Sequence, residues 1–483
     1  MIYFKIVEGK PFGYYFLRKW FGWIFSYAYY KRFYVFGKKN LPAAGTPFMM
    51  VSNHQNGLLD ALAILFALPL RYTVVFLARA DIFKKKFTAK LLNFCKIMPV
   101  YRQRDGRETL GENAAIFDES AKLVGMGYPV TLFPEGRHQE GHYLGPVKKG
   151  FARIAFEAAE RNGYPENMMI VPVGNHYSDY FAKRAKLCVR FGEPIHLSLY
   201  YGLYKENPPK AMAQLAQDVR AAIRALMLDI PDPEHYGTYD FLREAVRPEI
   251  CRQEALRKRY LPHQWQADRL FAARLEAMAE SADPQPDSIN TRPDGEIPEA
   301  SRNGFCTEKL RLLREKTEAY RKALAALNVS TQEVEKPASL PEVAGRFLLL
   351  LLGLPFALYG LCFTGLPVLL GRRKAAGIAL RIKNRMLRSS FDFVLTQLLF
   401  TGAFYLVYII AYWVIVSCMG VATAWAWACF ALLLASWMLT RAFWQDYMRY
   451  ACRTFGRGRG LLHKKGCRAL QGLRAELCAD FRA

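Results

Sequence analysis

Between residues 33 and 230 the chain alternates short apolar runs with longer stretches of helical period. The apolar runs fall at 47–51, 72–77, 97–101, 129–133, 169–173 and 187–191. The helical stretches fall at 58–68, 111–125, 151–161 and 209–228. Strand-length runs that alternate with amphipathic helices predict a mixed α/β domain, a sheet with flanking helices. From 231 to 335 the pattern turns polar and charged, with helical period at 248–260, 264–281 and 309–327. A Pro/Asp/Ser/Asn-rich gap at about 282–304 within that region reads as a flexible linker.

The pattern changes again toward the C-terminus. Residues 397–440 hold no Asp, Glu, Lys or Arg, a stretch of 44 residues. A bilayer needs about 20 apolar residues per helix, so this predicts two transmembrane helices within 391–440, turning near 417–423 around Cys418, Met419 and Gly420. A second apolar stretch, 347–370, is interrupted by Gly353, Pro355, Gly360, Gly365 and Pro367. Proline removes a helical hydrogen bond, and positive loops stay on the cytoplasmic face. Basic residues crowd 371–390 and again the tail 441–483. The upstream domain and both basic sets can all be cytoplasmic only if 347–370 enters the membrane and returns, so within 336–390 a re-entrant or in-plane pair is expected in preference to a full span.

Charge then selects the partner. Lys and Arg total 67 against 42 acids, a net charge of +25 that calls for a polyanion. Segment 1–32 interleaves Lys and Arg with aromatics such as Tyr14, Phe16, Trp20 and Trp23. That mixture suits stacked single-stranded nucleic acid or a lipid interface. The uncharged stretch at the other end decides for anionic membrane lipids and against nucleic acid. The ten cysteines are scattered without a CxxC pair, which disfavours a disulfide framework or a metal site and favours a reducing compartment. The N-terminal apolar stretch is studded with Lys5, Lys10, Arg18 and Lys19 and resembles no secretory signal, so an integral membrane protein whose domain 33–230 faces the cytoplasm is expected.

Candidate chemistry collects at the ends of the apolar runs. After 47–51 comes Ser52-Asn53-His54-Gln55-Asn56-Gly57-Leu58-Leu59-Asp60. A histidine oriented by a carboxylate can act as a general base. On a regular helix a six-residue separation leaves two side chains about 120° apart, so His54 belongs on the turn before the helix that carries Asp60. After 129–132 comes Phe133-Pro134-Glu135-Gly136-Arg137-His138, a carboxylate, a flexible backbone and a guanidinium suited to a phosphate- and hydroxyl-bearing substrate. Two further strand ends are Met98-Pro99-Val100-Tyr101-Arg102-Gln103-Arg104-Asp105 and Ile170-Val171-Pro172-Val173-Gly174-Asn175-His176-Tyr177. Singly, each block has an ordinary structural explanation as a turn, a cap or a solvated ion pair.

Taken in order, the four blocks resemble those of the glycerophosphate and lysophosphatidic acid acyltransferase family. The resemblance covers about residues 33–230 and includes Asn40-Leu41-Pro42 before the histidine block and Phe191-Gly192-Glu193-Pro194-Ile195 after the last. It implies an α/β acyltransferase domain in which His54 is the general base on the acceptor hydroxyl and Asp60 its partner. Arg102 and Arg104 would contact the glycerol phosphate, with Asn56, Phe133, Pro134, Glu135, Gly136 and Arg137 completing the acceptor site. Two features depart from the common pattern. Five residues separate His54 from Asp60 where most members have four, a spacing that resembles the fungal-type glycerol-3-phosphate and dihydroxyacetone-phosphate enzymes. Arg137-His138 stands where Thr-Arg is usual, so Arg137 is one residue early.

The resemblance implies transfer of an acyl chain from acyl-CoA or acyl carrier protein to lysophosphatidic acid in phospholipid synthesis, with no other cofactor. Glycerol 3-phosphate or dihydroxyacetone phosphate is the alternative acceptor, and a silent lipid-binding protein on the same fold is the non-enzymatic alternative.

Overall fold

The computed structural model describes residues 12–83, 86–100, 109–136, 141–180, 182, 184–230, 232, 234–280, 308–361, 365, 369–371, 373–374, 376–378, 401–420 and 423–481. Arg102, Arg104, Arg137, His138, the linker 282–304 and most of the basic segment 371–390 lie outside them.

One sheet organises the N-terminal half. Its strands are β1 (Arg32–Phe36), β2 (Phe48–Ser52), β3 (Val75–Arg79), β4 (Ile97–Val100), β5 (Val130–Leu132), β6 (Met169–Tyr177), β7 (Lys186–Phe191) and β8 (Ile195–His196). They are ordered β1-β7-β6-β2-β5-β3-β4, with β8 beside β6. The β2–β6, β2–β5, β3–β5, β3–β4 and β1–β7 pairs are parallel, whereas β6 runs antiparallel to β7 and β8.

Side chains alternate across the sheet with a period of two. Met49 and Val51 of β2 enter one core, and Phe48 and Met50 enter the other. The first core is closed by α4 (Thr109–Gly125), α5 (Gly150–Arg161) and α7 (Pro208–Leu226), through Leu123, Phe151, Phe156, Leu215 and Ile223. The second is closed by α2 (Leu58–Ala67) and by Phe25, in the wider turn 24–29 that follows the N-terminal helix α1 (Phe12–Trp23). Burial on both faces is why these strands read as unbroken apolar runs. Helices α3 (Lys86–Phe94) and α6 (Tyr201–Glu206) complete the domain.

Arg18 fixes α1 to this domain. Its guanidinium is buried and donates to the carbonyls of Tyr72 (2.7 Å), Leu65 (2.9 Å) and Leu68 (3.0 Å), the last two among the open carbonyls at the end of α2. The opposite face of α1 exposes Phe12, Phe16, Trp20 and Trp23, continued by Tyr27, with each ring against the next along the stripe.

A separate helical core follows, built by α8 (Tyr236–Gln253), α9 (Leu261–Glu280), α10 (Glu308–Ala326) and α11 (Thr331–Glu335). The segment 441–483, set apart in the sequence as a basic tail, contributes to this core. Its helix α15 (Lys464–Asp480) buries Cys467, Leu470, Leu477 and Cys478, and Phe481 follows. Helical period explains this, since those residues share one stripe while Lys464, Lys465 and Arg468 are exposed; Arg474, on the stripe, donates to the Ala245 carbonyl at 3.0 Å.

Of the described residues, only helix α12 (Leu340–Gly360) is long and apolar enough to cross a membrane by length and composition. Gly353 and Pro355 do not break it. Gly353 instead permits close packing, because a Cβ there would meet the Tyr447 ring at 3.2 Å. The Tyr447 hydroxyl donates to the Leu350 carbonyl at 2.9 Å. Tyr447 belongs to the long helix α14 (Thr423–Leu462), which follows α13 (Thr401–Met419). Of the two spans expected in 391–440, the helices are present, but their described apolar stretches, Ala403–Met419 and Thr423–Leu434, fall short of 18 residues. They pack as a hairpin, with Trp413 and Trp427 ring centroids 4.5 Å apart.

Candidate active site

Strands β2 and β5 are parallel neighbours, and Val51 stands opposite Leu132. The loops that leave their carboxyl ends therefore emerge side by side, the usual place for a ligand site in a parallel sheet. One loop carries His54 and the other carries Phe133, Pro134, Glu135 and Gly136.

His54 lies on the turn and Asp60 is the third residue of α2, the arrangement that the six-residue separation requires. Gly57 makes the turn possible with φ of 57° and ψ of −128°, a region that a side chain disfavours. The Asp60 carboxylate is fully buried and gathers four donors. His54 Nδ1 lies 3.0 Å from Oδ2. The backbone N–H groups of Gln55 (2.9 Å) and Asn56 (2.7 Å) donate to the same oxygen. The Tyr177 hydroxyl donates to Oδ1 at 2.7 Å. A carboxylate on Nδ1 places the ring proton there and leaves the Nε2 lone pair as the basic atom. The extra residue in the His–Asp spacing thus joins a loop whose amides close on Asp60.

The second loop holds the ring from its face and from behind. Phe133 stacks on His54 with centroids 4.1 Å apart and planes 17° from parallel. Glu135 is 1% exposed. Its Oε1 accepts from the His54 backbone N–H at 2.7 Å, and its Oε2 accepts from Gly145 N–H at 2.9 Å. One oxygen of this carboxylate therefore braces the loop that carries the base, and the other ties it to the segment at Gly145. Gly136 has φ of 67°, and Lys148 Nζ stands 3.4 Å from where its Cβ would be, so the bare backbone has an ammonium above it. Lys148 is exposed.

The structure thus brings together His54, Asp60, Phe133, Glu135 and Gly136. Asn56 is buried, with its backbone committed to Asp60. The sequence reading quoted Tyr177 at the end of the block 170–177 without a role, and missed Gly145 and Lys148. Tyr177 had one available signal: it ends β6, the strand beside β2, and its β register carries it to the same sheet edge. Among the described residues, no group of three or more His, Cys, Asp or Glu is placed to hold a metal ion.

Residues 32–175 match a family model described as Acyltransferase. Over 158 residues the chain is 31% identical to 1-acyl-sn-glycerol-3-phosphate acyltransferase BAT2, chloroplastic, of Brassica napus, covering 33% of this chain and 41% of that protein. Over 119 residues it is 29% identical to glycerol-3-phosphate O-acyltransferase 2 of Saccharomyces cerevisiae, covering 24% of this chain and 16% of that one. The chain spans less than half the length of these curated relatives. Among solved structures, the 1-acyl-sn-glycerophosphate (LPA) acyltransferase PlsC from Thermotoga maritima is 17% identical, with a TM-score of 0.31 over 46% of this chain and 85% of that one.

Proposed function

We propose that the chain, whose residues 32–175 match the Acyltransferase family model, transfers an acyl group from a thioester, acyl-CoA or acyl carrier protein, to the free hydroxyl of lysophosphatidic acid. The observation that carries this reading is the His54–Asp60 pair at the carboxyl edge of the sheet, its carboxylate fully buried and its ring side chain 14% exposed. His54 Nε2 removes the acceptor's hydroxyl proton as the oxygen attacks the thioester carbonyl. Asp60 stabilises the imidazolium that forms. Collapse of the tetrahedral intermediate breaks the C–S bond, and the imidazolium returns its proton to the departing thiolate. No acyl-enzyme is formed. Positioned general-base help of this kind is worth roughly 10²–10⁴-fold.

The acceptor phosphate needs cations at a fixed distance from the base. Lys148 beside Gly136 supplies one, and Arg102, Arg104 and Arg137 are assigned to the same task from the family resemblance. The product is a lipid, so the site works beside a bilayer. The exposed aromatic stripe of α1 and the exposed leucines of α12 support membrane association, and the net charge favours anionic lipids.

A second reading takes glycerol 3-phosphate as acceptor. The five-residue His–Asp spacing favours it, and a yeast relative carries that name. The test is direct: purified protein with labelled acyl donor is offered glycerol 3-phosphate and 1-acylglycerol 3-phosphate separately. Labelled phosphatidic acid from the second acceptor alone supports the first reading. Labelled 1-acyl product from the first acceptor replaces it with the second, and no transfer to either overturns both.

A further inference from the structure

Gln55 follows the base directly, and its side-chain oxygen accepts from Asn53 Nδ2 at 3.2 Å and from the Tyr180 hydroxyl at 2.7 Å. Tyr180 lies beyond the family match, which ends at residue 175. Its oxygen is also 2.9 Å from His142 Nδ1. A phenol has one proton, and here Gln55 receives it, so the second contact is a His142 N–H donating to the tyrosine oxygen.

His142 in turn is gripped by residues that lead into the helical region. Its backbone N–H donates to the Tyr236 hydroxyl at 3.1 Å, and its carbonyl accepts from Ile230 N–H at 2.6 Å. Gly141 leaves no room for a side chain, since a Cβ there would meet the Tyr236 ring at 2.7 Å. The His142 imidazole lies 5.9 Å from that of His176, and the charges facing both rings come from Arg243 of α8 and Asp268 of α9, themselves paired at 2.9 Å. Burial, more than either charge, pushes the His142 pKa well below its ordinary value and keeps the ring neutral. A neutral ring carries one N–H, and the contact with Tyr180 assigns it to Nδ1.

We propose that this chain of contacts is a strut by which the helical region positions the catalytic loop: Tyr236 and Ile230 hold His142, His142 holds Tyr180, and Tyr180 holds Gln55 next to the base. The inference rests on the reading of His54 as that base. It gives residues from 229 onward a part in the chemistry without any contact with substrate. His142, Tyr180 and Tyr236 are positioning residues, and their effect is on where His54 points.

The test uses the full chain in lipid or detergent, with Tyr180→Phe, His142→Leu and His142→Asn compared with wild type. Tyr180→Phe keeps the ring, and His142→Asn keeps an N–H near the Nδ1 position. Loss of the strut should lower kcat by roughly ten- to a hundredfold, the usual cost of misplacing a reacting group by about an ångström. The acceptor KM should stay within about twofold, because ground-state binding is untouched. The Tyr180→Phe/His142→Leu double variant should be no slower than either single variant, and His142→Asn should recover most of the rate. Amide hydrogen exchange at Gln55 and Asn56 should quicken in Tyr180→Phe and His142→Leu but not in His142→Asn.

Unchanged kcat in Tyr180→Phe, additive losses in the double variant, or equal exchange in all variants would overturn the strut. His54→Ala at the wild-type rate would instead overturn the reading of the site, while the exchange measurement still reports on the strut.

Discussion

Two histidine–aspartate pairs in this molecule share the same bond and differ in everything around it. His54 Nδ1 lies 3.0 Å from Asp60 Oδ2, and His235 Nδ1 lies 2.8 Å from Asp232 Oδ2. Asp60 gathers four donors in a fully buried position and holds a ring stacked on Phe133. Asp232 accepts the backbone N–H groups of Glu234 (3.0 Å) and His235 (3.1 Å), which is how a side chain closes the turn ahead of a helix. The Arg314 guanidinium also reaches His235 Nδ1, at 3.1 Å. A ring nitrogen shared between a carboxylate and a guanidinium is not held in the tautomer a base needs. The pair alone therefore identifies nothing; the donors behind the carboxylate and the Phe133 ring stacked on the imidazole do.

The largest effect expected from this contrast is on turnover. His54→Ala should lower kcat by roughly 10²–10⁴-fold with little change in melting temperature. His235→Ala should leave kcat within about twofold. Equal losses at the two positions, measured by labelled acyl transfer, would break the comparison.

A third histidine environment sharpens it: burial without a carboxylate bonded to the ring. Burial lowers His176 to about 4, against an ordinary value near 6.5. Between those limits the unfolded chain binds the extra proton and the native state does not, so stability falls as pH drops from about 6.5 to about 4. The contribution is complete above that window and gone below it. A shift of this size corresponds to about 3 kcal/mol. His142 acts in the same direction, and the Arg243 and Arg190 charges reinforce the shift at His176. Asp268 opposes it, since burial raises its own pKa and lets the native state take up a proton in acid. Urea unfolding at pH 7 and pH 4.5 measures the balance. A native state that is more stable at pH 4.5 than at pH 7 would show that the Asp268 contribution outweighs that of the two rings.

Much of this was legible in the sequence, for identifiable reasons. Strands β2 and β5 and helix α2 were found because burial on both faces makes continuous apolar runs, and the loops after them carried the chemistry. The continuation of β6 through Asn175, His176 and Tyr177 was not, because polar residues there look like a loop. Two of them find internal partners: Asn175 donates its backbone N–H to Asn53 Oδ1 and its side-chain amide to the Ser52 hydroxyl, and the Tyr177 hydroxyl donates to Asp60. Pro248 suggested a helix start at 248, whereas α8 begins at Tyr236 and accommodates the proline inside it. Docking of α15 into the helical core is a long-range contact that charge composition concealed.

The carboxylates provide the next test, smaller in stability terms. Asp60→Asn replaces an acceptor-only group by one whose amide N–H atoms face other donors. A buried donor left without an acceptor costs about 1–3 kcal/mol, so the variant should both melt earlier and lose most of its turnover. Asp232→Asn keeps an acceptor for the turn and should cost less in stability, with kcat unchanged. A silent Asp60→Asn would show that Tyr177 and the loop amides hold the base without the charge.

The smallest expected effect separates two adjacent lysines. Lys148 and Lys149 are both exposed, but the Lys148 ammonium reaches to 3.4 Å from where a Gly136 Cβ would be, and Lys149 serves as the residue before α5. If Lys148 meets the acceptor phosphate, it binds ground and transition states alike, so its loss should raise KM and spare kcat. An exposed charge contact is modest and screened, so Lys148→Ala should raise the acceptor KM by only about three- to tenfold. Lys148→Arg should restore much of the affinity, and Lys149→Ala should change KM by less than about twofold. Added salt should raise the wild-type KM toward that of Lys148→Ala while moving the variant less. The same KM in both alanine variants would place the phosphate elsewhere and leave its recognition to the arginines.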